Sequence, residues 1–373
     1  MTRGQGAAGD SLDRQAIETA RAIRGPLLRW YRRNRRDLPW RRTRDPYAIW
    51  VSEVMLQQTR VAAAEPYYRR FLERFPDVET LARSSEEEVL GLWSGLGYYR
   101  RARMLLQGAR EVLRRHGGAV PSDPAALRAL PGIGRYTAGA IASIAFDLRE
   151  PVLDGNVRRV ICRVLGLRGD EPGAGPGGER LWAVARELAS GPSPGDRNQA
   201  LMELGALTCT PRSPSCRTCP IARCCAARAG GRPEEIPRSG AKRPVESVRV
   251  LVAVLARGGR VLLERPGPSS PLRGSWDLPA REISEGREGP GERFAASLLA
   301  EYGLVASLGE RIHVVGHSIL HRRMTLEIHQ GRLTKGRVAS HDRLRWLDPA
   351  DLDTAPVSGA TRKALLRVSI RPQ

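Results

Sequence analysis

Lysine is nearly absent from this 373-residue chain. Lys242, Lys335 and Lys363 are the three present, so the first 241 residues offer no side-chain amine for imine chemistry. The positive charge rests on arginine: 61 basic against 40 acidic residues give a formal charge of +21, which points to a polyanionic partner. Long apolar runs are missing too. None approaches the roughly 20 residues that span a bilayer, so no membrane partner is expected. Met1 to Asp10 lacks the apolar stretch of a secretory signal, and residues 1–12 read as a flexible tail. The expected location is therefore the cytoplasm, near the nucleoid if the source is bacterial. Cysteine is sparse as well, and all but Cys162 fall within Cys209–Cys225, a crowding that suggests a metal group rather than disulfides. No internal repeat is evident. The length suits two or three domains, each able to bury a core.

The most informative stretch is 130–160. Leu130-Pro131-Gly132-Ile133-Gly134 reads as a tight hairpin whose two glycines are free to take positive φ. Tyr136 and Thr137 to Ile141 then open a helix of small and apolar residues. The unpaired N–H groups at such a helix start can hold a backbone phosphate without a cationic side chain. Asp154 follows in Val152-Leu153-Asp154-Gly155-Asn156-Val157, ahead of a helix carrying Arg158 and Arg159. Taken singly, the glycine pair is a turn and the aspartate an N-cap; their order and spacing suggest more.

Upstream, residues 13–35 have helical periodicity, with a bend expected at Gly25-Pro26. Asp45-Pro46 starts the next helix, as N-cap and first-turn proline. It buries Tyr47, Trp50, Val51, Val54 and Met55 on one face. Glu53 lies off that stripe but between Ile49 and Leu56, so its apolar neighbours should raise its pKa toward neutrality. Helices are predicted over 65–76 and 78–93, the second opened by Ser85-Glu86-Glu87-Glu88. Gly95-Leu96-Gly97-Tyr98-Tyr99 is a glycine-punctuated turn with an aromatic tip, suited to stacking on unpaired bases and equally to ordinary packing. Helices are also expected over 101–115, from Ser122-Asp123-Pro124, and over 157–165, 181–189 and 198–207.

The cysteines run Cys209-x6-Cys216-x2-Cys219-x5-Cys225, with Cys224 beside the last. Four thiolates in a compact loop can bind zinc or an iron–sulfur cluster. Zinc sites more often show two close pairs, and this string has one. A Gly/Pro/charge-rich linker over 229–247 separates a second domain, 248–373, with a β texture. A hairpin is expected over 248–264, a helix over 292–302, strands over 312–319, 324–333 and 344–347, and a helical tail.

Several motifs carry a resemblance. The glycine hairpin followed by Asp154 is similar to the helix-hairpin-helix, Gly/Pro-rich, Asp signature of DNA glycosylases. The 6-2-5 cysteine spacing resembles the [4Fe–4S] loop of endonuclease III-like members, with Cys209, Cys216, Cys219 and Cys225 as ligands. Trp50-Val-Ser-Glu-Val-Met-Leu-Gln-Gln-Thr-Arg-Val61 is very close to the motif of A/G-specific adenine glycosylases of the MutY type. The implied fold is an all-α helix-hairpin-helix glycosylase domain over 13–228 with an iron–sulfur loop, plus a C-terminal α/β Nudix-like domain. A six-helix part would cover about 36–150, and a cluster part 13–35 with 151–228.

The resemblance implies a monomeric enzyme that removes adenine opposite 8-oxoguanine or guanine in duplex DNA. Glu53 would be the general acid, Asp154 the stabiliser of the sugar cation, with Tyr136 and Asn156 supporting them. Arg36 and Arg41 would lie near the adenine pocket, Gln58 and Thr59 at the base stack, and Leu96 and Tyr98 beside the damaged base. Gly132 and Gly134 would grip phosphate. Tyr136 stands where lyase relatives carry a lysine, so a monofunctional enzyme is expected. The Nudix box is eroded: small and apolar residues run from Ala296 through Ala300 where the family pattern has its charged residues, and among the charged positions and the closing Gly-apolar pair only Glu301, Gly303 and Leu304 remain in place. That leaves a binding module rather than a hydrolase. Its lesion-reading loop would be His313–Ser318, with His317 kept and Val315 and Gly316 substituted. The alternatives are an endonuclease III-like glycosylase/lyase and a non-catalytic DNA-damage binder.

Overall fold

The computed structural model describes residues 4–170, 175, 178–238, 244–267, 276–283, 289–319, 321–338, 342–352 and 355–368. By contact the chain forms two compact units, Met1–Ala82 with Gln107–Lys242, and Arg83–Leu106 with Arg243–Gln373. Among the described residues no helix is long and apolar enough to cross a membrane.

The described helices of the N-terminal region are α1 (Gly4–Asn34), α2 (Pro46–Leu56), α3 (Val61–Arg74), α4 (Val78–Arg83), α5 (Glu86–Trp93), α6 (Arg100–His116), α7 (Pro124–Ala129), α8 (Arg135–Phe146), α9 (Gly155–Leu165), α10 (Glu179–Ala189), α11 (Pro194–Leu207) and α12 (Ala226–Ala229). Asp45, Ser85, Asp123 and Asp154 cap α2, α5, α7 and α9 through their side chains, as short polar residues before a helix do. Three local expectations change. Helix α1 begins at Gly4, so residues 4–12 are helical rather than a tail, while residues 1–3 lie outside the described residues. The helix expected over 78–93 is two, because Ser85 caps a new start. Of the two hairpin glycines only Gly132 takes a positive φ, 78°; Gly134 has φ −87° and serves as N-cap of α8.

In the first unit α2 packs against α8 and α3, and α11 against α1, α8 and α9. Helix α2 is buried on every side from Tyr47 to Met55 rather than on a stripe, with Trp50 fully enclosed. Its Glu53 is therefore carried into the core together with its neighbours.

In the second unit the strands are β1 (Glu246–Arg257), β2 (Arg260–Glu264), β3 (Ala280–Glu282), β4 (Val305–Ile319), β5 (Arg322–Lys335) and β6 (Leu344–Leu347), with helices α13 (Pro290–Tyr302) and α14 (Gly359–Leu365). The sheet order is β4-β5-β1-β2-β6, with β3 also on β1. Strand β1 pairs parallel to β5 and antiparallel to β2. Its alternate residues face opposite layers. Val250, Val252 and Val254 join a core with Ala360 and Ala364 of α14, while Leu251, Ala253 and Leu255 join one with Phe294 and Leu298 of α13. The period of two thus explains why an almost unbroken apolar run is buried on both faces.

One close approach between backbones positions Asp154. A Cβ at Gly139 in α8 would overlap the carbonyl oxygen of Pro151, so the segment leading to Asp154 lies directly on the helix backbone. Asn198 of α11 holds the same segment by donating to the Glu150 carbonyl, at 2.8 Å. Gly139→Ala should therefore destabilise the protein by about 3 kcal/mol, since backbone must move to admit the methyl. Chemical denaturation would read this, and an unchanged midpoint would contradict the packing.

Candidate active site

Several elements of the first unit line one cavity of about 820 Å³. Glu53 and Ser52 come from α2, Tyr136 from α8, Asp154 and Asn156 from the start of α9, Met202 and Glu203 from α11, and Arg36 and Arg41 from the connector between α1 and α2. Gln58 and Thr59 lie on its rim. Gln58 is exposed and holds a left-handed backbone, φ 57°, an unfavourable conformation for a non-glycine residue that presents its side chain outward.

Three carboxyl groups share this cavity in three environments. Glu53 is 6 % exposed, and burial raises its pKa to about 7. The Tyr136 hydroxyl donates to Glu53 Oε2 at 2.8 Å and opposes that rise. The Asp154 charge adds to it, and Arg41 opposes it. Asp154 accepts the Val157 N–H at 2.7 Å and the Asn156 side-chain amide at 3.2 Å. Burial raises its pKa and these hydrogen bonds counter the rise. The donors come from the first turn of its own helix, because an N-cap aspartate is committed to the turn it caps. Glu203 is also buried, yet hydrogen bonds from Arg41 and Arg36 overcome the desolvation and hold its pKa at about 2. Arg36 donates from Nε at 3.0 Å and Nη2 at 2.6 Å, and Arg41 from Nη1 at 2.9 Å and Nη2 at 2.8 Å. This is a doubly forked clamp with good geometry for a buried charge.

Glu203 and Met202 are not among the residues that the sequence motifs mark out. A signal for Glu203 is nonetheless present, since it sits between Met202 and Leu204 as Glu53 sits among Val54, Met55 and Leu56: a carboxylate within an apolar stretch of helix.

Asn156 reaches further. Its Oδ1 accepts from Arg159 Nη2 at 2.9 Å, and Arg159 also donates to the carbonyls of Gly205 and Cys209, both at 2.8 Å. Beyond lies a small cavity lined by Cys209, Cys216, Cys219 and Cys225. Cys224 is exposed and turned away from it. Arg163, 2 % exposed, donates to the carbonyls of Thr210, Pro211 and Ile236 and lies 3.4 Å from Cys209 Sγ. Four thiols converging on one cavity is a donor set that fits an iron–sulfur cluster. Among the described residues no three His, Cys, Asp or Glu side chains close on a single metal ion.

Gly132 and Gly134 stand at the α7–α8 turn, and no side chain caps α8, so its first N–H groups remain available to an anion. The second unit brings Leu96, Tyr98 and His317 to one cavity of about 990 Å³, with Arg100, Arg103 and Arg265. Tyr98 is 42 % exposed with φ 49°. The stretch that the resemblance marks as a lesion-reading loop is part of β4, in line with the strand expected over 312–319, with Val315, Gly316 and His317 paired to Leu326, Thr325 and Met324. The surviving box residue Glu301 pairs with Arg281 at 3.0 Å, and Arg281 also binds buried Glu264 at 2.9 Å.

Because folding raises the Glu53 pKa from about 4.5 to about 7, its stability cost is absent below pH 4.5, grows between pH 4.5 and 7 and levels off above that. It reaches roughly 3 kcal/mol at alkaline pH by the 1.36 kcal/mol per unit relation. Glu53→Gln removes the ionisation, so at pH 8.5 this variant should melt higher than wild type, with the gain vanishing near pH 4. Parallel melting curves at the two pH values test the sign.

Residues 51–175 match the HhH-GPD superfamily base excision DNA repair protein family, and residues 250–367 match the NUDIX domain. The adenine DNA glycosylase of Homo sapiens is 36 % identical over 406 residues, 92 % of this chain and 73 % of that protein. That of Rattus norvegicus is 38 % identical over 412 residues, 93 % and 78 %. Among solved structures, a thermostable thymine-DNA glycosylase aligns with a TM-score of 0.53 and 30 % identity, covering 57 % of this chain and 98 % of that one. With a helical glycosylase region, a mixed-sheet Nudix-like region and this similarity along most of its length, the chain belongs to the adenine DNA glycosylase family of base excision repair enzymes.

Proposed function

We propose that the chain hydrolyses the N-glycosidic bond of adenine paired with 8-oxoguanine or guanine in duplex DNA and leaves an intact abasic strand. The observation that carries this reading is the pair of carboxyl groups, Glu53 and Asp154, in one cavity with a tyrosine, not a lysine, between them. Adenine leaves poorly as an anion, so the reaction needs a proton donor at the base and negative charge near the sugar. Glu53, with a pKa of about 7, is poised to protonate the extruded base. Asp154, held by Val157 and Asn156, supplies the charge that stabilises an oxocarbenium-like sugar. Ionised Glu53 then accepts a proton from the attacking water. Arg36 and Arg41, fixed by Glu203, form the polar wall against which the base edge lies.

A lyase reaction would need an amine to form an imine with the sugar, and the first 241 residues hold no lysine. In the second unit the Glu301 and Glu264 carboxylates are engaged by Arg281 rather than free for a divalent ion, which supports lesion recognition over pyrophosphate cleavage. Leu96, Tyr98 and His317, sharing one cavity, are the residues we assign to the opposite base. Cys209, Cys216, Cys219 and Cys225 would hold a [4Fe–4S] cluster. Hydrolysis moves no electron, so the cluster's contribution is to shape the loop bearing exposed Arg212, Arg217 and Arg223, which suits phosphate contact. The protein would act as a monomer in the cytoplasm.

Single-turnover assays on duplexes with A opposite 8-oxoG, G, C or T should show adenine loss opposite the first two, with strand breaks only after alkali. Breaks without alkali, trapped by borohydride, would instead indicate a lyase. Tight binding without base release would indicate a damage binder. Glu53→Gln should slow release by at least about 100-fold with DNA affinity retained. The purified protein should carry iron and sulfide with the broad visible absorbance of a cluster, lost in Cys225→Ser and kept in Cys224→Ser. Stoichiometric zinc without iron would refute the cluster.

A further inference from the structure

The Tyr136 hydroxyl has one proton and two partners. Its oxygen lies 2.8 Å from Glu53 Oε2 and 3.1 Å from Met202 Sδ. A thioether sulfur accepts hydrogen bonds weakly and donates none. The two contacts therefore serve different protonation states of Glu53. When Glu53 is ionised, Tyr136 donates to the carboxylate and the sulfur makes only a packing contact. When Glu53 carries its proton on Oε2, the carboxyl O–H donates to the tyrosine oxygen, and the tyrosine proton needs another acceptor. Met202 Sδ is positioned to be that acceptor.

We propose that Met202 is a positioning residue for the acid step: its sulfur receives the Tyr136 proton only while Glu53 is protonated, and so favours the state that can protonate the base. Without the sulfur, the protonated state would leave the Tyr136 O–H unpaired inside the cavity, a penalty the ionised state does not bear. The other charged or titratable groups lining the cavity with Glu53 are Asp154 at the start of α9, Arg41 and Arg36 from the connector before α2, Arg60 from the segment between α2 and α3, and Glu203 from α11. None of them switches between donor and acceptor as Tyr136 does. Burial pushes Glu53 toward protonation while a Tyr136 proton pointing at the carboxylate opposes it, so an alternative direction for that proton reinforces burial.

The proposal rests on Glu53 being the acid, and the test separates the two ideas. Rates of adenine release in single turnover are measured against pH for wild type, Met202→Leu, Tyr136→Phe and the double variant. Leucine keeps the volume and removes the acceptor. In Met202→Leu the alkaline limb should move down by about half a pH unit, the scale of one weak hydrogen bond, with the acid limb unmoved. In the Tyr136→Phe background the same change should move nothing, since the switching proton is gone. An equal rate loss at every pH, or the same shift with phenylalanine at 136, would overturn the proposal and leave Met202 as packing. Residual release by Glu53→Gln with the wild-type alkaline limb would instead overturn the assignment of the acid. If Met202→Leu folds poorly, replacing methionine with norleucine removes the sulfur at constant chain length and is read the same way.

Discussion

Exclusion of water from Glu53 is the constraint on which the first unit depends. Its pKa of about 7 needs a helix buried on all sides, and α2 achieves that by packing on α3 and α8 with Trp50 enclosed. The same packing brings Tyr136 of α8 to the carboxyl. The bare backbone at Gly139 then lets the segment before α9 lie against α8, which sets Asp154 in the lining of the same cavity. A destabilised carboxyl and a tight glycine contact are thus two parts of one arrangement.

The cavity sorts its acids by what each is allowed to bind. Glu203 meets two guanidinium groups and stays ionised down to a pH of about 2. Asp154 meets an amide side chain and a helix N–H, enough to counter burial in part. Glu53 meets a phenol and is left near neutrality. Residue type is nearly constant across the three, so the difference in function lies in the donors supplied by other helices. Arg159 extends this order outward by joining Asn156 to the carbonyl of Cys209, so the cysteine loop and the Asp154 cap share one hydrogen-bonded frame.

Local chemistry made much of the fold legible. Short polar caps at Asp45, Ser85, Asp123 and Asp154 start helices wherever they stand. The almost unbroken apolar run of β1 forms a strand because both of its faces find a layer. The amphipathic stripe expected for α2 misleads, since a helix enclosed on every side has no stripe to keep. His317, by contrast, lies on a paired strand within the stretch 312–319 expected to form one.

By itself the sequence determined the caps, the spacing of the cysteines, the absence of lysine before residue 242 and the apolar neighbours of Glu53 along its own helix, since each depends on residues close together along the chain. Tertiary structure alone decided that Glu203 clamps Arg36 and Arg41, that Met202 shares the Tyr136 proton, and that Cys225 rather than Cys224 faces the cavity. Those outcomes join residues far apart in the chain or turn on which way a side chain faces in the folded loop. Periodicity and spacing hold no record of either until the helices have packed.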